Sequence, residues 1–97
     1  MAGQNVPVQR QIVRYYGLQN TNGILVVSMD EQSPARAAGL REGDIIVEFA
    51  GEKVEGIDEL HRLLTEERVG ISQPITVIRG VERREFGIIP LEREFVN

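Results

Sequence analysis

The stretch from Ser33 to Phe49 restricts the fold of this 97-residue chain more than any other part of the sequence. It begins with a serine followed by a proline, continues with small residues, and reaches Gly39, so both ends of a short helix are marked. Gly43 and the aspartate after it then form a turn that opens an apolar run from Ile45, which indicates a buried strand. The chain is therefore expected to contain a short helix that leads directly into a core strand.

The remaining elements follow from turn residues and from the spacing of apolar residues. They comprise a strand at Ile24 to Met29 after a tight loop, a longer helix from Ile57 to about Arg68, and a closing hairpin of Pro74 to Arg79 and Arg84 to Leu91. The order is strand, short helix, strand, longer helix and two strands. This order predicts a small α+β domain with two helices, in which an antiparallel sheet forms a β-sandwich or partial barrel.

The composition excludes several classes of function. The 11 basic and 15 acidic residues are scattered, and the net charge of −4 argues against nucleic acid or anionic lipid as the main partner. The sequence has no cysteine, and the only histidine, His61, has no companions at metal-ligand spacing. The serines at positions 28, 33 and 72 are assigned to a strand, a helix cap and a hairpin entrance. We therefore predict no catalytic site, no metal site and no cofactor in this chain.

The length and the apolar segments define the predicted domain organisation. The apolar stretches are far shorter than the roughly 20 residues that span a bilayer, so no membrane insertion is expected. Residues 1–10 are polar, contain a proline and lack the build of a signal peptide, which predicts a linker or the tail of a preceding domain. We assign residues 11–92 to the folded domain and residues 93–97 to a C-terminal tail.

Several motifs, taken together, resemble the signature of PDZ domains. They are Ser33-Pro34-Ala35, Ala38-Gly39-Leu40, Gly43-Asp44-Ile45-Ile46 and Gly51. The ending of two strands after the long helix resembles the circularly permuted PDZ topology of HtrA-like serine proteases. The chain departs from the family at Ala50, where Asn or Asp is frequent, and in the short segment from Gln19 to Asn22.

The resemblance also implies a peptide-binding site. Arg14-Tyr15-Tyr16-Gly17-Leu18 is similar to the carboxylate-binding loop of HtrA-type PDZ domains, in which successive backbone N–H groups hold a free C-terminus. The backbone from Leu18 to Asn20 would then pair with the peptide, and the long helix would form the other wall. The candidate peptide-binding residues are Arg14, Tyr15, Tyr16, Gly17, Leu18, Gln19, Asn20, Leu60, His61, Leu63 and Leu64.

Each of these residues also has an ordinary structural interpretation. The three leucines at helical spacing also fit core packing, although at least one is expected to line the pocket. Tyr16 and Leu18 fit either the core or the pocket, His61 also fits a solvated helix position, and Arg14 also fits a surface charge.

The resemblance implies a peptide-binding regulatory or substrate-recognition domain of an HtrA-like serine protease. Its expected ligands are C-terminal peptides with an apolar last residue, and its expected partner within the parent chain is the protease domain. Through that parent the domain is expected outside the cytoplasm, either periplasmic or membrane-tethered. The same fold also occurs in intramembrane metalloproteases, C-terminal processing peptidases and secretion components, where it has a gating or assembly role.

Overall fold

A computed structural model describes residues 2–91 of the chain. Its elements in chain order are β1 (Ala2–Pro7), α1 (Arg10–Tyr16), β2 (Asn22–Ser28), α2 (Pro34–Ala38), β3 (Ile45–Phe49), β4 (Glu52–Lys53), α3 (Ile57–Leu63), β5 (Gln73–Arg79) and β6 (Glu82–Ile88). The six strands form one antiparallel sheet, and three helices pack around it. The predicted antiparallel α+β class is confirmed, with one helix more than the sequence indicated.

The strand order in the sheet is β1-β2-β3-β5-β6, and the two-residue β4 pairs with β3. β1 pairs with β2 along its whole length, from Ala2 opposite Ser28 to Pro7 opposite Asn22. β5 and β6 form the predicted closing hairpin. The end strands of this order are therefore β1 and β6.

The two faces of the sheet are covered by different helices. The larger core packs residues of α2 and α3, among them Ala35 and Leu60, against one sheet face that includes Ile46. The smaller core packs Ile12 of α1 against the opposite face, which includes Val47. Neighbouring residues of one strand point to opposite faces, so the alternation of Ile46 and Val47 supplies both cores.

The short helix and the strand after it are confirmed in detail. The Ser33 hydroxyl accepts a hydrogen bond from the Arg36 N–H at 3.2 Å, as expected of a helix cap. Gly39 ends the helix in the left-handed conformation with a φ of 112°. β3 spans the predicted residues.

Ala2–Pro7, which lies within the residues predicted as a linker or the tail of a preceding domain, forms β1. These residues have little intrinsic strand preference. They become a strand because they pair with β2, which is rich in Val, Ile and Leu. The predicted tail at residues 93–97 lies outside the described residues.

Two helix predictions also need correction. Arg10–Tyr16, within which a loop was expected, forms α1. The helix predicted to reach about Arg68 ends at Leu63, where the Arg68 guanidinium donates a 2.6 Å hydrogen bond to the Leu63 carbonyl oxygen. No helix within residues 2–91 is both long enough and apolar enough to span a membrane.

Candidate functional site

The free edge of β1 lies beside α3. Only β2 pairs with β1 among the strands of the described residues. A hydrogen bond shows how close the two elements are: the Asn5 Oδ1 atom of β1 accepts the backbone N–H of Ile57, the first residue of α3, at 3.0 Å. A Cβ placed on Gly3 would lie 3.8 Å from Cδ1 of Ile57. We call the space between the Ala2–Gln4 backbone and α3 the β1–α3 cleft.

Glycine at position 3 brings the cleft close to the core. A Cβ at this position would lie 2.7 Å from Cγ2 of Ile24, which is closer than real side chains approach. Because Gly3 has no side chain, the wall of the cleft is formed by Ile24 and Ile57 beneath it. This part of β1 therefore presents backbone and apolar surface to α3.

The predicted helix residues fall into three environments. Leu60 is 0% exposed and lies in the larger core. Leu63 and Leu64 are half-buried and pack against that core, while His61 is exposed. Residues four and seven positions after Ile57 fall on its side of the helix, so helical spacing predicts that His61 and Leu64 face β1. Leu60 lies in the core beneath them.

The predicted carboxylate-binding loop is the end of a helix. Arg14, Tyr15 and Tyr16 belong to the last turn of α1, and Gly17 ends it in the left-handed conformation with a φ of 65°. The Gly17 N–H donates to the Arg14 carbonyl oxygen at 3.4 Å, and the Leu18 N–H donates to that of Val13 at 2.9 Å. These amides cap the helix and are not available to a ligand carboxylate.

The two tyrosines lie on the sheet face that α1 covers. The Tyr16 hydroxyl donates to the Val81 carbonyl oxygen at 2.7 Å and accepts from the Arg83 N–H at 3.2 Å. Tyr15 is 76% exposed, and with Ile12 both tyrosines line a cavity of about 350 Å³ beside the β5–β6 turn. Tyr16 therefore ties α1 to this hairpin, and Arg14 is an exposed residue of the same helix.

The segment from Leu18 to Asn20 connects α1 to β2 and is packed into the fold. Leu18 is half-buried and packs against the smaller core, and Gln19 is exposed between α1 and β2. Asn20 is buried, and its Nδ2 atom donates to the carbonyl oxygens of Val47 at 3.1 Å and Val54 at 2.8 Å. This side chain fixes the connection between α1 and β2 to the sheet interior.

A second contact holds the same connection. The Glu55 carboxylate accepts hydrogen bonds from the backbone N–H groups of Thr21 and Asn22. These two bonds, led by that from Thr21, lower the pKa of Glu55 below its ordinary value. The connection is thus anchored from two sides, and its role is structural.

The assignment of Tyr15 to Leu18 to a loop, where the structure has the end of α1, has an identifiable cause. Tyr15-Tyr16-Gly17-Leu18 has the same pattern as Ala37-Ala38-Gly39-Leu40, which was correctly interpreted as a helix end. Ile12 and Tyr16 are four residues apart, which is helical spacing and would have indicated α1. Asn5 and Ile57 were missed because nothing in a weakly patterned N-terminal segment indicates which residues it will contact.

The cleft combines strand backbone with apolar surface. No group of three or more His, Cys, Asp or Glu side chains in residues 2–91 could hold a metal ion. The cleft offers unpaired strand backbone on one side and apolar helix side chains on the other. Such an arrangement suits an extended polypeptide, which supplies both hydrogen bonds and side chains.

Known proteins share both the sequence and the fold. The family model described as PDZ domain matches residues 5–89. The chain is 31% identical over 78 residues to a probable periplasmic serine endoprotease DegP-like from Halomonas elongata, covering 80% of this chain and 16% of that protein. It is 32% identical over 77 residues to the serine protease HTRA1 of Xenopus tropicalis, covering 79% of this chain and 16% of that protein. The chain thus spans about a sixth of the length of these relatives.

A solved structure gives the same result for the fold. The crystal structure of the HtrA3 PDZ domain bound to a phage-derived ligand, FGRWV, aligns with a TM-score of 0.64 and 25% identity. The alignment covers 93% of this chain and 83% of that one.

Proposed function

The chain belongs to the PDZ domain family, and we propose that it binds extended peptides by adding them as a strand along the free edge of β1. The observation that carries this proposal is the position of β1, which has one paired and one unpaired edge and lies against α3. Strand addition gives backbone hydrogen bonds along the edge, while side chains of the ligand contact the helix. The proposed binding strand is therefore β1, and not Leu18 to Asn20.

The expected ligand ends in a free carboxylate after an apolar residue. A peptide that pairs antiparallel with β1 has its last residue beside Ala2, where β1 begins, and its last side chain near the apolar side of α3 that carries Leu64. The peptide bound to the HtrA3 domain, FGRWV, ends in valine, which supports an apolar last residue. Backbone N–H groups at the start of the strand would hold the carboxylate.

The energies favour weak, reversible binding. Burying one apolar side chain contributes roughly 1.5–3 kcal/mol. Charge-assisted hydrogen bonds contribute about 1.5–3 kcal/mol each before the ordering costs of the peptide. A dissociation constant on the order of micromolar or weaker follows. Such an affinity suits a domain that samples polypeptide ends.

The setting that we propose is an HtrA-like serine protease. The curated relatives are serine proteases of which this chain covers 16%, so catalysis would reside in a separate protease domain of the parent chain. In that setting the domain would recognise substrates or regulate the protease when a polypeptide end binds. The relatives described as periplasmic support a location outside the cytoplasm.

Calorimetric titration with FGRWV and with its C-terminally amidated form tests this proposal. We expect binding of the free acid, and binding of the amide weaker by about tenfold or more, because amidation removes the charge that the backbone N–H groups hold. A Gly3→Ala variant that is folded by circular dichroism should bind more weakly, since its Cβ would lie 2.7 Å from Cγ2 of Ile24 and so displace this part of the β1 edge. Equal affinity for the acid and the amide would refute recognition of the carboxylate, and failure of both to bind would refute the proposed function.

A further inference from the structure

The β1–α3 cleft is closed at one end by a single side chain. Asn5 points from β1 to the start of α3, where its Oδ1 atom accepts the Ile57 N–H at 3.0 Å. The N-cap residue of α3 is Gly56, which has no side chain to cap the helix. A Cβ on Gly56 would lie 3.1 Å from the Asn5 Nδ2 atom. Asn5 therefore caps α3 from a different element and ties the two walls of the cleft together.

The bond between Asn5 and Ile57 narrows the space beside an added strand. An asparagine side chain reaches about 3.5 Å from its Cα, so the Asn5 Cα and the Ile57 nitrogen are separated by roughly 6.5 Å or less. A peptide strand paired with β1 would lie about 4.8 Å from it in the plane of the sheet, and its alternate side chains would point toward the face that α3 covers. At Asn5 those side chains would meet the bonded pair of Asn5 and Ile57. A peptide can thus occupy the edge along Ala2 to Gln4 but meets an obstacle at Asn5.

We propose that Asn5 is a latch that limits the length of peptide the cleft holds, an inference that rests on the proposed function. With the latch closed, the last three residues of a ligand pair with Ala2–Gln4. Residues further upstream in the ligand contact the domain only when the bond between Asn5 and Ile57 opens. Asn5 is exposed, so water replaces its hydrogen bond on opening and the latch can be released without unfolding.

The test compares two acetylated peptides with the same C-terminus, RWV and FGRWV. The first reaches no further than Gln4, and the second extends past Asn5. Wild-type protein should bind the two with dissociation constants within about threefold of each other. The Asn5→Ala variant should bind FGRWV about fivefold or more tightly than RWV, because the upstream residues gain contacts with α3.

Two controls separate the latch from other effects. Asn5→Asp keeps an oxygen that accepts the Ile57 N–H and should behave as wild type. Gln4→Ala changes an exposed neighbour on the opposite face of β1 and should also leave the length dependence unchanged. Thermal unfolding followed by circular dichroism verifies that each variant is folded. If FGRWV binds the wild type much more tightly than RWV and Asn5→Ala changes nothing, the latch is refuted while peptide binding stands. If neither peptide binds any variant, the proposed function fails, and the latch fails with it.

Discussion

Asp44 and Arg79 form a bidentate ion pair that joins the turn before β3 to the end of β5. The Arg79 Nε atom lies 2.9 Å from Oδ1 of Asp44, and its Nη2 atom lies 2.8 Å from Oδ2. Asp44 is 1% exposed, and its Oδ2 atom also accepts the Arg41 N–H at 2.8 Å. The hydrogen bonds to Asp44 raise the pKa of Arg79 above its ordinary value. Two segments 35 residues apart are thereby held in fixed positions.

Removal of this carboxylate should destabilise the fold strongly. We expect Asp44→Ala to lower the free energy of unfolding by about 3 kcal/mol, because it removes the counter-charge of Arg79 and leaves the Arg79 Nε–H and the Arg41 N–H without their acceptor. Urea unfolding measures the change. The matched control is Glu82→Ala, which breaks an exposed 2.9 Å pair with Arg84 and should cost less than about 1 kcal/mol. Similar losses in the two variants would contradict a special role for the Asp44–Arg79 pair.

The turn between β3 and β4 contains a strained residue that can be relieved. Ala50 has a φ of 55° and Gly51 a φ of 81°, so both central residues of this two-residue turn are left-handed. Alanine is unfavourable there, whereas asparagine followed by glycine is preferred in such turns. We expect Ala50→Asn to raise the free energy of unfolding by about 0.5–1 kcal/mol. A higher thermal midpoint would bear this out, and a lower one would show that the half-buried alanine methyl group matters more than the strain.

Gly17 distinguishes the helix end from the carboxylate-binding loop. No atom lies within 4 Å of a Cβ placed there, so the cost of substitution comes from its left-handed backbone. Gly17→Val should destabilise the protein by about 1–2 kcal/mol, and Gly17→Asn by much less, since asparagine tolerates this conformation. Both variants should bind FGRWV as the wild type does. If Gly17→Asn is folded but no longer binds the peptide, the binding site lies at Tyr15–Leu18 and not at β1.

The sequence predicted an element correctly wherever residues adjacent in the chain determine that element. The serine cap and the glycine end of α2, the turn at Gly43 and the limits of β3 depend on residues next to each other in the chain. Asp44 was correctly assigned to the turn that opens β3. Its partner Arg79 could not be predicted, because that contact depends on how β3 and β5 pair.

The proposed binding edge could not be predicted for the same reason. Ala2–Pro7 has no alternating pattern and becomes a strand only against β2. Asn5 meets Ile57 across 52 positions of sequence. The error at Tyr15–Leu18 was of another kind, since a local pattern that fits both a loop and a helix end was assigned to the loop. The folded sheet resolves that ambiguity, because α1 is needed to cover Val47 and Ile78.

Leu60 and Leu64 should separate stability from affinity. Leu60→Ala is expected to lower the free energy of unfolding by about 2–5 kcal/mol, because the side chain is fully buried in the larger core. Leu64→Ala should cost less stability, since Leu64 is half-buried, but should weaken binding of FGRWV by about fivefold or more, because helical spacing from Ile57 predicts that the residue faces β1. Urea unfolding and calorimetry give the two quantities. Unchanged affinity in Leu64→Ala would remove this residue from the site.

Strand addition at β1 is tested most directly by the backbone amide resonances of the ¹⁵N-labelled chain during titration with FGRWV. We predict the largest shifts at Ala2 to Gln4 and along α3, together with slower hydrogen exchange of the amides in this part of β1 as the peptide pairs with the strand. Tyr15 to Leu18 should shift little, because their amides cap α1. The largest shifts at Tyr15 to Leu18, with β1 unaffected, would contradict the account.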